Sequence, residues 1–250
     1  MRNTTSLETS IYHQYKCEDG KSHTIRHYLE IRHTYLVIKR ITDIFISLLV
    51  ILLIFPWLLP VIITLIKLDS RGPIFFKQKR VGFLGRTFWC YKFRTMHLND
   101  AADTRQAVRN DPRVTRVGKF LRNTGVDELP QFINVLLGHM SIVGPRPHML
   151  KDSRDFAEVV PNYRFRNLAR PGITGMSQVR GCRGPATSFA SIFRRYQWDA
   201  YYVRNVSFLL DLRIMAETGW LMLTSLFNKD KPIPADTSHY EKISSVKKIA

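Results

Sequence analysis

The sequence predicts an α/β (α+β) chain, mainly helical with a small β-hairpin or sheet, held as a monotopic membrane protein by a re-entrant helix broken at Pro56. Three observations predict this. Residues 44–66 are uncharged and apolar, with prolines at 56 and 60. Residues 72–96 read as two strands around a turn carrying Gly82 and Gly85. The stretches 127–138 and 206–226 read as helices, one short and one long.

Residues 1–38 are polar, mixed and rich in Tyr and His, and read as an extension. The run that follows, IFISLLVILLIFPWLLPVIITLI, has 23 residues. As a helix it reaches about 35 Å at ~1.5 Å per residue, against ~30 Å for a hydrocarbon core. It is too long and too far from the start for a cleaved signal peptide. A buried core helix is the alternative reading of a run that is apolar on every face. Pro56 removes a backbone hydrogen bond and divides the run into 44–55 and 57–66, each arm only ~15–18 Å long. Arg32, Lys39 and Arg40 precede the run; Lys67, Arg71, Lys77, Lys79 and Arg80 follow it. Basic flanks on both sides favour a helical hairpin that returns to the cytoplasmic face, because a kinked span must translocate one cluster.

The stretch GPIFFKQKRVGFLGRTFWCYKFRTM (72–96) predicts a β-hairpin. On its second arm, alternation puts Lys92 and Arg94 on one face and Trp89, Tyr91 and Phe93 on the other. Cations beside a buried aromatic face suit an anion; a merely solvated basic face fits the same pattern. Residues 206–226, VSFLLDLRIMAETGWLMLTSL, carry Asp211, Arg213 and Glu217. Three charges make a span costly, so the segment is expected to lie in the membrane interface or pack on the folded domain. The tail after Phe227 is polar.

Lys and Arg number 38 against 20 Asp and Glu, a formal charge of +18. Between Lys67 and Gly125 the count is 14 against 4. Such an excess predicts an anionic partner: acidic headgroups, phosphorylated substrates or nucleic acid. No helix-turn-helix, zinc-finger or RRM signature accompanies it, and a membrane segment argues against nucleic acid. No P-loop, GxGxxG after a strand or HExxH is present, so ATP, NAD and zinc are not implied. Cys17, Cys90 and Cys182 are scattered, predicting small buried hydrophobes in a reducing compartment.

Residues 127–147, DELPQFINVLLGHMSIVGPRP, place two acids side by side in this basic chain. One reading is a helix start, with Asp127 as N-cap, Pro130 in the first turn, Phe132, Ile133, Leu136 and Leu137 as a buried stripe, and Gly138 as the stop. The other is chemical. A carboxylate at a phosphate-attracting helix start repels phosphate unless a divalent cation lies between them or the carboxylate is to attack phosphorus. Glu128 is a hard-oxygen ligand for Mg2+. Arg122 is placed to neutralise charge on a transferring phosphoryl group. Pro145 and Pro147 fix the backbone on either side of Arg146, whose guanidinium suits phosphate or a planar polar ring. His139 and His148 flank this region and receive no role.

With those residues in view, the chain resembles the catalytic domain of the monotopic phosphoglycosyl transferases, the bacterial sugar transferase family. The matching stretches are KRITD (39–43), GPIFFKQKRVG (72–82), YKFRTM (91–96), NDPRVTRVGKFLRNTGVDELPQFINVLLGHMSIVGPRP (110–147) and RPGITGMSQVRG (170–181). Two places depart from the family pattern: Gly125-Val126 stands where Ser-Leu is common before the acid pair, and Met176-Ser177 where aromatic-Ala is usual. The four additional spans of longer members are not in this sequence, so it resembles the short form.

The resemblance implies transfer of a sugar 1-phosphate from a UDP-sugar to polyprenyl (undecaprenyl) phosphate, with release of UMP, starting a surface glycan. It implies Asp127 as nucleophile through a phosphosugar–aspartyl intermediate, Glu128 as Mg2+ ligand, and Pro145–Arg146–Pro147 as nucleotide contact. Arg122 is the further catalytic candidate, and Lys92 and Arg94 are substrate-binding candidates. GCRGPAT (181–187) points to a hexose 1-phosphate. The chain then divides into a polar extension (1–38), a membrane helix-break-helix (39–68), a cytosolic catalytic domain (69–205), an interfacial helix (206–226) and a polar tail (227–250). It would sit on the cytoplasmic face of the bacterial inner membrane, against acidic lipids, with a homodimer allowed. Two other readings are a catalytically silent scaffold of the same fold and a glycosyltransferase releasing UDP.

Overall fold

The computed structural model describes residues 33–99, 107–108, 111–182, 184, 186 and 188–227. Most of the predicted extension, the tail from 228, Cys17 and positions 183, 185 and 187 of the GCRGPAT loop lie outside the described residues. The architecture is α+β and mostly helical, with two small sheets.

Two helices come first, α1 (His33–Leu53) and α2 (Phe55–Asp69), bent by 63°. The bend centres on Ile54, two residues earlier than expected. Pro56 causes it from within the first turn of α2, since it has no N–H for the Leu52 carbonyl. No single described helix is long and apolar enough to cross a membrane; the bent pair together meets the same test by length and composition alone. Phe45, Leu52, Leu53, Trp57 and Leu68 are more than half exposed, a large apolar surface outside the fold's own core.

Polar side chains tie α1 to the rest of the molecule. Arg40 donates to the carbonyls of Val135 and Leu136 at 2.7 and 3.0 Å, and buried Asp43 accepts from the Ile142 N–H at 3.0 Å.

The hairpin forms as predicted from β1 (Phe75–Val81) and β2 (Thr87–Phe93), antiparallel, with Lys77 opposite Tyr91 and Lys79 opposite Trp89. Its faces are the reverse of the expectation. Phe88, Cys90 and Arg94 are buried, whereas Trp89 is 49% exposed; Phe93 alone of the aromatic face is buried. The cause is tertiary: Phe88 and Cys90 join Val135, Met140 and Ile142 in the main core, leaving Lys77 and Lys79 to lie over the Tyr91 and Trp89 rings outside.

Next come α3 (Arg116–Thr124) and α4 (Gln131–Leu136), separated by a 3-10 turn over Val126–Glu128. The buried residues of α4 are Gln131, Asn134 and Val135, whereas Leu137 of the predicted stripe is 56% exposed. Asn134 displaces that stripe because its amide serves the edge of β2, accepting from the Tyr91 N–H at 2.9 Å and donating to the Trp89 carbonyl at 2.6 Å. Gly138, left-handed at φ 81°, does follow the helix as its stop.

Parallel strands β3 (Ser141–Val143) and β4 (Gly172–Thr174) form the second sheet. Around them lie α5 (Leu150–Val159), α6 (Met176–Val179), α7 (Phe189–Asn205) and α8 (Phe208–Phe227).

The helix α8 packs on the domain through Ile214 and Asp211. Asp211 is buried and accepts hydrogen bonds from Lys39, Tyr35 and Tyr202 at 2.7–2.8 Å. Its other side still exposes Leu209, Leu212, Trp220 and Leu223.

Candidate active site

The acid pair sits in the turn between two helices, and does not start one. Thr115 caps α3 by accepting from the Gly118 N–H at 2.9 Å, and Asp69 at the end of α2 accepts from the Val117 N–H at 3.0 Å. Gly125 ends α3 in the left-handed conformation, φ 73°. The chain then turns at once through Val126–Glu128, so Pro130, not Asp127, occupies the cap position of α4. The predicted capping role of Asp127 is therefore corrected: its side chain caps nothing.

Packing of α3 against the hairpin end is close. A Cβ at Gly118 would collide with the Thr95 carbonyl oxygen. Gly118→Ala is expected to cost about 1–3 kcal/mol as overpacking, seen as a Tm several degrees lower, and to displace Thr95 from Arg122.

Glu128 is clamped by two cations. Lys92 Nζ lies 2.5 Å from Oε1, and Arg146 Nη2 and Nη1 lie 2.8 and 3.4 Å from Oε1 and Oε2. Burial pushes the Glu128 carboxyl up, but Arg146 and Lys92 outweigh it and hold it well below the usual carboxylate range. Asp127, next to it and 8% exposed, has no hydrogen-bond partner among the described residues. Burial raises its pKa to about 6; neighbouring Glu128 adds to this, while Lys92, Arg122 and Arg146 oppose it. Two adjacent carboxyls are thus driven apart in acidity by their surroundings.

Arg122, in the last turn of α3, donates through Nε to Thr95 Oγ1 at 2.8 Å; its Nη atoms have no partner among the described residues. Arg94 has a different engagement from that expected of a ligand-binding residue. It is buried, and its guanidinium donates to the carbonyls of Ser70 (2.7 Å) and Arg71, fastening the end of α2 to the hairpin.

Pro145–Arg146–Pro147 leaves the end of β3, where the two sheet strands nearly touch. The Gly144 N–H donates to Thr174 O at 2.9 Å and the Gly172 N–H to Pro145 O at 3.0 Å. Both prolines are buried, leaving Arg146 to project. Two arginines outside the predicted set hold this loop. Arg80 donates to the Pro147 carbonyl at 2.8 Å, and Arg166, paired with buried Asp199 at 2.7 Å, donates to the Arg146 carbonyl at 2.5 Å. His148 is buried beside the loop with Nδ1 2.5 Å from the Tyr163 hydroxyl; burial, with Arg166, Arg195, Arg80 and Arg146 around it, keeps it neutral.

These residues line one cavity of about 580 Å³, a size that suits a small molecule. Its walls carry Arg80, Lys92, Arg94, Arg122, Arg146 and Arg195 against Asp127, Glu128 and Asp152, so it suits an anion. Among the described residues no group of three or more His, Cys, Asp and Glu converges as a protein-made metal cage. Glu128 would be the protein ligand of a Mg2+ ion here. One or two carboxylates completed by substrate phosphates is the usual way Mg2+ is held, so the donor set fits an ion that shares its ligands with a phosphorylated substrate.

Known proteins resemble this chain over most of its length. The family model described as "Bacterial sugar transferase" matches residues 34–225. The chain is 50% identical over 188 residues to the "Exopolysaccharide production protein PSS" of Rhizobium leguminosarum bv. phaseoli, covering 73% of this chain and 94% of that protein. It is 44% identical over 181 residues to the "UDP-glucose:undecaprenyl-phosphate glucose-1-phosphate transferase" of Escherichia coli (strain K12), covering 72% of this chain and 39% of that one. It is 42% identical over 191 residues to the "UDP-N-acetylgalactosamine-undecaprenyl-phosphate N-acetylgalactosaminephosphotransferase" of Aeromonas hydrophila, covering 76% of this chain and 44% of the relative. The match thus spans nearly the whole of the first relative and about two fifths of each of the other two.

Proposed function

The chain belongs to the bacterial sugar transferase family, and from that premise we propose that it moves a sugar 1-phosphate from a UDP-sugar to undecaprenyl phosphate, releasing UMP, as the first step of exopolysaccharide or related glycan assembly. The observation that carries the reading is Asp127: a carboxylate in an anion-attracting cavity, held by no protein group among the described residues and flanked by Lys92, Arg122 and Arg146.

A carboxylate oxygen of Asp127 attacks the phosphorus that bears the sugar; the bond to the bridging oxygen breaks and UMP leaves with that oxygen. An oxygen of polyprenyl phosphate then attacks the same phosphorus, freeing Asp127 and forming the lipid diphosphosugar. Arg122 stabilises charge on the transferring group, and Arg146, presented by its two prolines, contacts the nucleotide. Mg2+, held through Glu128, would supply charge neutralisation between the carboxylates and the diphosphate. The sugar is a hexose in this reading, on the strength of the 181–187 loop.

The test is a panel of UDP-sugars, glucose, galactose and N-acetylgalactosamine among them, given with Mg2+ and polyprenyl phosphate. UMP should appear. Release of UDP would instead indicate glycosyl transfer, and no turnover with any sugar would favour a scaffold.

The proposed seat is the cytoplasmic face of the bacterial inner membrane, with α1 and α2 forming a re-entrant hairpin and the basic segment 67–125 resting on acidic headgroups. The apolar surface of the bent pair and its basic flanks support this. Single cysteines at Leu36 and Ser70, in a cysteine-depleted background, should both react only with reagent supplied from the cytoplasmic side. Labelling from opposite sides would establish a span. Pro56→Leu should straighten the pair and lower the yield of correctly inserted protein.

A further inference from the structure

Glu128 is the residue proposed to meet a divalent ion, yet both its carboxylate oxygens are occupied. Lys92 takes Oε1 at 2.5 Å, and Arg146 spans Oε1 and Oε2 at 2.8 and 3.4 Å. A dication joining Glu128 in this arrangement would stand within a few ångströms of two positive charges, in a partly desolvated cavity where screening is weaker than in water. Asp127 alone is a poor substitute, because Mg2+ gives up its water reluctantly for a single carboxylate.

We infer that Lys92 and Arg146 form a charge lock on Glu128, so that the free protein excludes divalent metal, and that a nucleoside diphosphate opens the lock by taking those two cations to its phosphates. The inference rests on the reading of the cavity as a UDP-sugar site.

Arg146 is the more accessible partner, its side chain 31% exposed against 16% for Lys92 and 17% for Glu128, so a ligand in the cavity reaches it first. Phosphate accepts the same forked pair of N–H groups that carboxylate does, and Arg146 changes partner without losing its counter-charge. The Arg146 carbonyl, held by Arg166, and the buried prolines keep the backbone in place while the guanidinium swings. Glu128, released, would have free lone pairs to offer a metal that also takes phosphate oxygens as ligands. Metal and nucleotide then raise each other's affinity by the same factor.

UDP binds metal in solution, so cooperative uptake by itself would not reveal the lock; metal binding without nucleotide does. Mn2+ is the probe, followed by loss of the free-ion electron-paramagnetic signal on titrating the full, membrane-reconstituted chain. Wild type should take up little Mn2+ alone. Lys92→Met with Arg146→Met should bind Mn2+ alone at least ~10-fold more tightly, and its Tm should rise on Mn2+ addition where that of wild type does not. Adding Glu128→Gln should abolish the gain. If the double variant does not fold, Lys92→Met alone should show a smaller gain of the same sign. Equal affinity of wild type and the double variant for Mn2+ alone overturns the lock, as does a gain that survives Glu128→Gln. UMP release, measured separately, distinguishes this from the reaction itself: a wild type that behaves as locked but never yields UMP would keep the lock and remove the assigned chemistry.

Discussion

Asp127→Asn is expected to fold, to reach the membrane and to release no UMP. The variant is informative because the structure removes the main competing role. Asn caps helices as well as Asp, but this side chain caps nothing and accepts no hydrogen bond from the described residues. What Asn lacks is an anionic oxygen that can form an acyl phosphate. Given UDP-sugar without lipid acceptor, wild type should release one UMP per site in a burst and gain the mass of a sugar phosphate on the peptide containing Asp127. The variant should do neither, and full activity in it would falsify the nucleophile assignment. Acidity adds a second readout. The folded-state pKa is raised to about 6 by burial, from an ordinary 3.8. A raised carboxyl favours the protonated form in the fold, so stability from this group is full below about pH 4 and falls as pH rises towards 6. At pH 7 the charged carboxylate costs the fold on the order of 2–3 kcal/mol. Asn, always neutral, avoids that cost. The variant should therefore melt higher than wild type at pH 7, and the difference should shrink as pH falls from 6 to 4. Wild-type turnover should fall over the same window as the nucleophile protonates.

Adjacent acids, a lone arginine upstream and a proline-flanked arginine downstream were readable as a phosphate site because each signal is local. Asp127, Glu128, Arg122 and Arg146 do share one cavity. The hairpin was readable too, since alternation and two turn glycines define it. Alternation separates two faces but does not say which one meets the core; Phe88 and Cys90 decide that by packing with residues some 45 positions and more downstream, so Trp89 ends outside. The cap at Asp127 failed because a left-handed Gly125 ends one helix just before the pair, and a tight turn intervenes. Arg80 lay within a quoted motif, but its partner Pro147 is 67 residues away, and Arg166 and Asp199 are 33 apart. No pattern along the chain announces such pairs. The fourth basic candidate, Arg94, had the right strand face and a different engagement, with Ser70 and Arg71.

That difference sets the second large effect. Arg122→Ala should lower turnover by more than ~10²-fold, the scale seen when a group stabilising transferring charge is removed. Its Nε bond to Thr95 Oγ1 at 2.8 Å fixes the plane of the guanidinium, and its Nη atoms remain for a ligand. Burial lowers its pKa, with Asp127 and Asp111 opposing, yet an arginine remains a cation throughout the working pH range. Arg122→Lys keeps the charge without the fork and should recover only part of the loss. Arg94→Ala should behave otherwise. It strands two carbonyls at the joint between α2 and the hairpin, at about 1–3 kcal/mol each where they are shielded from water, so it should lower Tm while folded molecules keep most of their turnover. Lys92→Ala should fall between, since it leaves Glu128 with Arg146 alone. If all three substitutions instead cause equal, small losses that salt abolishes, then the cluster only holds the protein against an anionic surface, and Arg122 has no part in the chemistry.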